Sequence, residues 1–426
     1  MPRLGINGRL NIVKKAAKYA LVFMILIAAY VLLLTAAYSI PESLVEENRQ
    51  LAFERIDSGV YSVPFYEKDN STLDDISDRA MFKDSIALPE YNALENAMWN
   101  NSYPRYWNGQ QIFLRPLMVV ATYPQMLSWL PIVYGLLFFS TFYVICKKFN
   151  FWFGIAFAGA ILLVKGLLVP YCIHYALTFF VMFIVCILVI KKYKPQKNFS
   201  MFFFIVGSMT VFFDFINIPA VTVAVPLILI VSMMNKDEAV PIKKSVTTIL
   251  KYSFIWFFGY VFTWLSKFVL GNLFLNKDIV AYGMKSVVYR LTESEGFVSS
   301  RLVAIGKNIC GLFGIDTQRF IDLYNEHWTN GRTIVLLAVL AVIFVAIVAF
   351  LIVKRDKLSD TQKRIVPLLL IACYPYVWYA VMSNHSIIHF WFTYRLQLIS
   401  IFALSLVIVE LSMNRRSKSL LKNQEQ

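Results

Sequence analysis

Long apolar runs recur along this chain from near its start almost to its end, and short basic clusters separate them. A helix that spans a bilayer needs roughly 20 mostly apolar residues, and only helices or closed barrels satisfy their backbone hydrogen bonds in lipid. The runs are continuous and do not alternate, which favours helices over strands. With 58% hydrophobic and 16% charged residues, the chain is predicted to be an all-α membrane protein.

The basic clusters predict how the chain lies in the membrane. Lysines and arginines, without any acid, precede the first apolar run, so the N-terminus is predicted to be cytoplasmic. Every second run ends in a basic cluster, as the positive-inside pattern requires of cytoplasmic segments. We therefore predict both termini inside and ten spans, at about 17–39, 130–146, 151–165, 171–190, 199–214, 219–234, 248–270, 333–353, 365–382 and 396–412.

This trace divides the chain into a cytoplasmic N-terminus (1–16), a membrane domain (17–412) and a basic cytoplasmic tail (413–426). Two polar parts of the membrane domain fall on the predicted outer side. We call them the first loop segment (41–129) and the second loop segment (271–330). The first holds 13 of the 26 acidic residues. The net charge of +15 lies in short cytoplasmic loops, so nucleic acid is not predicted as a partner.

Both loop segments contain stretches that predict short helices. Residues 112–129 are apolar but are interrupted by Pro116 and Pro124, which suits an interfacial or re-entrant helix before the second span. Residues 278–328 alternate apolar and charged residues at helical spacing. That pattern predicts two or three short helices on the outer surface.

The stretch 382–395 holds two of the four histidines, His385 and His389, and ends at Arg395 after Tyr394. Polar groups at membrane depth are costly and are usually functional. The two histidines share a face if the stretch is helical. Three roles are open for this pair. The histidines could bind a metal ion with a third ligand, or be interfacial polar groups whose hydrogen bonds are satisfied. They could also bind a phosphate together with Arg395, whose planar guanidinium suits that anion. Tyr394 belongs either to an aromatic belt or to a groove for a lipid tail.

An acidic run in the first loop segment contains a candidate general base. Asp75 and Asp78 share a face if this run is helical, and so do Asp74 and Asp78. Clustered carboxylates raise one another's pKa, which suits a general base. The alternative is a helix N-terminal cap with a solvated acidic turn.

Two further groups of residues fall on the same predicted side. Arg105, Tyr106 and Trp107 form either a cation–aromatic clamp for a sugar or phosphate or an interface anchor. Asp214 lies roughly 20 Å along the fifth span from its cytoplasmic start, near the outer face. Transporters more typically place such groups near the midplane. The pattern therefore favours an outward-facing active or binding site.

Four segments of the chain, 73–81, 105–117, 214–222 and 384–395, resemble segments of a group of bacterial membrane proteins. The overall architecture resembles the GT-C type of membrane glycosyltransferase. This resemblance implies transfer of a sugar from a polyprenyl-phosphate donor to an extracytoplasmic glycan or cell-envelope acceptor. It also implies location in the bacterial plasma membrane.

The resemblance implies roles for individual residues as well. Asp75 or Asp78 would be the base, and the lipid phosphate would be held by Arg105, His385, His389 and Arg395. The first loop segment has no clean Asp-X-Asp metal motif, so no cofactor is assigned and a divalent metal ion stays an open alternative. Two other functions stay open: a transporter or flippase for a lipid-linked or anionic substrate, and a non-catalytic partner in envelope assembly.

Overall fold

The computed structural model describes residues 6–58, 75–101, 104–214, 216–236, 240–292, 301–315 and 359–424. Within these ranges the secondary structure consists of α-helices and short 3-10 helices, and no strand occurs. Six segments are long and apolar enough to cross a membrane. The chain is therefore an all-α membrane protein, as its sequence predicts. The predicted eighth span, 333–353, lies outside the described residues.

The first part of the chain forms eleven described helices, α1 (Ile6–Tyr38), α2 (Glu46–Asp57), α3 (Asp75–Asp84), α4 (Ala93–Trp99), α5 (Gln111–Val120), α6 (Tyr123–Lys148), α7 (Phe151–Leu163), α8 (Ile173–Lys192), α9 (Ser200–Phe213), α10 (Val221–Met234) and α11 (Ile242–Leu275). The described helices that follow are α12 (Ile279–Thr292), α13 (Arg301–Phe313), α14 (Asp360–Ala372), α15 (Tyr374–Val381), α16 (Ser383–Ile388), α17 (Phe390–Thr393) and α18 (Leu398–Gln424). The candidate spans lie in α1, α6, α8, α11, α14–α15 and α17–α18.

The start of the second span differs from the prediction. The stretch 112–129 is not one interfacial helix, because α5 ends at Val120 and α6 begins at Tyr123. Thr122 and Gln125 form a capping box that starts α6. Pro124 is tolerated in the first turn of α6, where its missing N–H has no intrahelical partner to lose.

The predicted span 365–382 is also interrupted. It consists of α14 and α15, which meet at Cys373, and Pro375 stands in the first turn of α15. Beyond it, the stretch 382–395 is divided into α16, α17 and a 3-10 turn, Tyr394–Gln397. The polar stretch is therefore a compact irregular connection between two spans.

Helix α10 lies at the centre of the bundle. Nearly every one of its side chains is buried, and it packs against α8, α9, α11, α14 and α18. A helix that is apolar all round is expected in such a position. Beside it, α9 and α11 approach closely: a Cβ at Gly207 would lie 2.0 Å from the carbonyl oxygen of Trp256, and a Cβ at Gly259 would lie 2.1 Å from that of Phe204. Small residues permit this backbone approach.

Arg115 links the first loop segment to the end of α1 through hydrogen bonds and an ion pair. Its guanidinium donates to the carbonyl oxygens of Ala37 (2.9 Å), Ile40 (2.8 Å) and Ser85, and it forms an ion pair with Glu42 at 3.2 Å. The side chain has no exposed surface. Because all these partners are present, the buried charge stabilises the junction.

Candidate functional site

Arg395 is a buried cation whose hydrogen-bonding capacity is only partly used. The side chain is 1% exposed, and its Nη1 donates to the Trp391 carbonyl oxygen at 3.0 Å. The guanidinium lies 5.3 Å from the ring centroid of Phe392 and 4.7 Å from that of Tyr394. Within the described ranges, Nε and Nη2 have no hydrogen-bond partner and no carboxylate forms an ion pair with the group. A buried charge in this condition is suited to binding an anion.

A second cation and a phenol lie beside Arg395. Lys165 follows α7 in the left-handed conformation, with φ 53° and ψ 38°. Burial, and secondarily the charge of Arg395, lower the pKa of Lys165. The buried Tyr134 of α6 is likewise within electrostatic range of Arg395. Two cations that repel each other across a partly buried space favour an anion between them.

An apolar groove is lined by Tyr134, the phenol within electrostatic range of Arg395. It has a volume of about 470 Å³ and runs between α6, α7 and the 3-10 turn Gly166–Tyr171. Tyr134, Leu167, Phe138, Phe142 and other apolar side chains line it. We call this the first groove. Its apolar lining suits a hydrocarbon chain.

The two histidines of the stretch lie against each other. The ring centroids of His385 and His389 are 4.7 Å apart, which agrees with their predicted common face, although His389 lies between α16 and α17. His389 also contacts Trp391, with ring centroids 5.4 Å apart. Among the described residues, no group of three or more His, Cys, Asp or Glu side chains is arranged to hold a metal ion.

Helix α13 of the second loop segment holds this irregular connection in place. The buried Asn308 donates to the Ser386 carbonyl oxygen at 2.9 Å and accepts from the Thr393 hydroxyl at 2.7 Å. Its own carbonyl oxygen accepts from Gln397 at 2.8 Å. Lys307, the residue before it, lies 4.2 Å from the ring centroid of Phe390. Helix α13, which belongs to neither of the two adjoining spans, therefore fixes the conformation of the connection between them.

Asp78 is buried at the beginning of α8, not exposed on its own helix. One carboxylate oxygen accepts from the Tyr123 hydroxyl at 2.8 Å and from the backbone N–H of Ile173 at 3.1 Å. The other accepts from Cys172 Sγ at 3.2 Å and from the N–H of His174 at 3.1 Å. Burial raises the pKa of Asp78, and these four hydrogen bonds oppose that rise. Asp78 thus caps α8 from another helix.

A short chain of contacts joins the first turn of α3 (75–78, called the acidic turn) to Arg395. The hydroxyl of Ser77 lies 3.2 Å from that of Tyr175. The Tyr175 ring stacks on Phe392 with centroids 3.4 Å apart, and Phe392 lies beneath the guanidinium of Arg395. The first residue of this turn, Asp75, begins α3, and its side chain lies outside the described part.

The remaining predicted site residues gather in a different place. Trp107 donates its Nε1 proton to the Thr263 carbonyl oxygen at 2.7 Å, and Arg105 lies 5.6 Å from the Tyr106 ring centroid. This group contacts α9 and α11. Arg395, in contrast, interacts with Tyr134 of α6, with Lys165 after α7 and with residues of the stretch 382–395.

Asp214 organises the turn between α9 and α10. Its Oδ1 accepts from the Asn217 N–H at 2.8 Å, and the turn includes Ile216 at φ 72°. Positive φ is unusual for a β-branched residue, so the turn is held in a strained conformation. Gly109 connects this turn to the first loop segment by donating to the Phe212 carbonyl oxygen at 2.8 Å.

Two charged residues that are not among the predicted site residues are partly or fully buried. Lys165 is within electrostatic range of Arg395, and its signal in the sequence is a lysine at the outer end of an apolar run, where the positive-inside pattern does not place one. Asp84 is buried in the first loop segment and accepts from Asn108 at 3.1 Å. Burial raises the pKa of Asp84 well above its usual range, and the hydrogen bond from Asn108 opposes that rise.

We expect Asp84→Asn to change how stability depends on pH. Because the folded-state pKa of Asp84 is raised, the wild-type protein loses stability as pH rises from the unfolded value near 4 through the folded value. The Asn variant does not lose this stability. The unfolding free energy of the variant relative to that of the wild type therefore rises by about 1.4 kcal/mol per pH unit across that window. Unfolding measured in detergent at several pH values tests this, with exposed Glu90→Gln as control. Parallel curves for wild type and Asp84→Asn would contradict it.

No family model, no curated protein and no solved structure matches this chain. The site is therefore interpreted from its own geometry. That geometry combines a half-satisfied buried arginine, a lysine within electrostatic range of it and an apolar groove lined by Tyr134, which is also within electrostatic range of the arginine.

Proposed function

We propose that this chain is a membrane glycosyltransferase that takes a sugar from a polyprenyl-phosphate donor and transfers it to an acceptor on the extracytoplasmic face of the bacterial plasma membrane. One observation carries the proposal: Arg395 is buried with two nitrogens unsatisfied among the described residues, within electrostatic range of Lys165 and of Tyr134, which lines the first groove. A lipid phosphate supplies both the anion and the hydrocarbon chain that these features suit.

The donor would lie with its prenyl chain in the first groove and its phosphate between Arg395 and Lys165. The bond between the sugar's anomeric carbon and the phosphate oxygen breaks, and polyprenyl phosphate leaves with the electron pair. The two cations stabilise the charge that develops on this phosphate in a poorly hydrated site. The adjacent His385 and His389 add donors near the same connection.

The acceptor hydroxyl loses its proton to a carboxylate and bonds to the anomeric carbon. Asp78 already accepts four hydrogen bonds and caps α8. We therefore assign Asp75 as the base and Asp78 as a positioning residue that orients the turn. Contacts through Ser77, Tyr175 and Phe392 support a turn that lies close to the phosphate site.

Donor binding tests this assignment. We expect Lys165→Met, in purified protein in lipid nanodiscs, to weaken binding of a radiolabelled polyprenyl-phosphate sugar about tenfold. The matched control is Lys147→Met, at the C-terminal end of α6, which should bind as wild type does. Equal binding of unphosphorylated polyprenol by the wild-type protein would overturn the phosphate site. Movement of the intact lipid across a vesicle membrane without release of polyprenyl phosphate would instead support a flippase.

A further inference from the structure

A pocket lined by lysines lies at the start of α11. It has a volume of about 470 Å³, and Lys243, Lys244 and Lys251 line it together with Thr247 and Thr248. The three lysines are exposed, so their ammonium groups are open to a ligand. None of the described residues that line this pocket is acidic. We call it the lysine pocket.

The positive charges of the lysine pocket are not compensated by carboxylates of the described chain. Lys243, Lys244 and Lys251 form no ion pair within the described ranges. Lys251 donates to Oδ1 of Asn198 at 3.3 Å, which is a neutral acceptor. Cations that share one pocket repel one another, and an anion placed among them removes that repulsion.

The start of α11 is an unfavourable place for lysine in the absence of an anion. The N-cap residue is Pro241, which supplies no side-chain hydrogen bond, and the first turn contains no acidic residue. Lys243 and Lys244 stand in that turn, beside the positive end of the helix dipole. The dipole disfavours these cations, whereas it would stabilise a bound anion together with them.

An exposed apolar strip continues from the lysine pocket along α11. Thr247, Lys251, Phe254 and Phe258 are spaced by four, three and four positions, so they share one side of the helix. Phe254 and Phe258 are 59% and 47% exposed. Because α11 is a candidate membrane span, these rings face hydrocarbon. A ligand with an anionic head and an apolar chain therefore matches both the pocket and the strip.

The lysine pocket is separate from the Arg395 site. Lys236, in the loop that leads to α11, donates to the Lys148 carbonyl oxygen at 2.8 Å. That loop therefore lies where α6 ends and α7 begins, whereas Lys165 follows the other end of α7. A ligand in the lysine pocket is accordingly not a substrate at Arg395.

We infer that the lysine pocket binds the phosphate-bearing head group of an anionic phospholipid, whose acyl chain lies along Phe254 and Phe258. Lysines at the ends of membrane spans attract anionic lipids, and basic pockets between such helices bind their head groups. The exposed rings that follow the pocket on the same side of α11 favour a lipid over a free phosphate. The inference uses no residue of the Arg395 site and holds whatever reaction that site performs.

The probe is phosphatidylglycerol with a diazirine in its acyl chain, compared with a phosphatidylcholine probe of the same chain. The full-length protein is held in phosphatidylcholine nanodiscs, and labelled peptides of α11 are quantified by mass spectrometry. We expect phosphatidylglycerol to label α11 about tenfold more than phosphatidylcholine does. The triple variant Lys243→Gln, Lys244→Gln, Lys251→Gln should lose this preference, and replacement of the same three lysines by arginine should keep it.

The matched control is the triple variant Lys191→Gln, Lys192→Gln, Lys194→Gln. It removes the same charge from exposed lysines at the end of α8 that do not line the pocket, so it should keep the wild-type preference. Unfolding in detergent checks that both glutamine variants are folded, and the comparison of the two probes on the wild-type protein does not depend on them.

Three results would overturn the inference. Equal labelling of the wild-type α11 by both probes would show that the pocket does not select an anionic head group. An equal loss of preference in the control variant would show a general attraction to basic surface. Displacement of the phosphatidylglycerol probe by an equimolar amount of inorganic phosphate would show a site for free anions.

Discussion

Arg395→Met is expected to reduce sugar transfer by about 100-fold while the protein keeps or gains stability. Loss of one preorganised donor to a developing anion has an effect of this order on turnover. Stability should not fall, because methionine of similar length removes a buried charge that has no ion-pair partner in the described structure. Turnover by purified protein and unfolding in detergent are measured on the same preparations.

Arg115→Met is the matched control, since both arginines are buried. Arg115 has a complete set of acceptors and pairs with Glu42. Its removal leaves several carbonyl oxygens without this donor and Glu42 with Arg49 as its remaining ion-pair partner, at a cost of about 3–5 kcal/mol. We expect poor folding or early unfolding of this variant. If Arg395→Met were equally destabilising, Arg395 would be a structural residue and the phosphate site would lose its main support.

Asp75→Asn and Asp78→Asn are expected to fail in different ways. Asp78→Asn places an amide N–H₂ opposite N–H and O–H donors, so we expect a loss of about 1–3 kcal/mol in unfolding free energy together with reduced transfer. Asp75→Asn should abolish transfer without a change in unfolding, because it removes the base alone. Transfer rates at several pH values and unfolding curves of both variants test the distinction.

Tyr123→Phe provides the control for Asp78. It removes one of the four donors to that carboxylate without changing the charge, so a smaller loss, about 0.5–1.5 kcal/mol, is expected. Full activity of both single aspartate variants and of the double variant would remove the base from this turn. Full stability of Asp78→Asn would remove its role as the cap of α8.

Much of the membrane architecture could be predicted from the sequence. Helices α8 and α10 were predicted at 171–190 and 219–234, within two residues of their observed bounds. A continuous apolar run with charges at its end determines such a helix locally. The start of α6 was predicted too late, because its capping box and its tolerated proline are weaker signals than hydropathy.

The site was predictable in its residue types but not in its contacts. Arg395 was identified as a cation in an apolar setting, yet whether its nitrogens are satisfied depends on residues that fold around it. Asp78 was assigned either to chemistry or to its own helix cap, whereas its backbone partner Ile173 lies 95 residues away. No local pattern carries such a pairing, since it arises from tertiary packing.

Asn308 has a consequence for how the protein is made. It lies on a helix that is synthesised well before its partners Ser386, Thr393 and Gln397. Until the last hairpin has entered the bilayer, this amide lacks those partners and the connection around Arg395 has no fixed form. The fold of this connection is therefore completed only after the last hairpin has been synthesised.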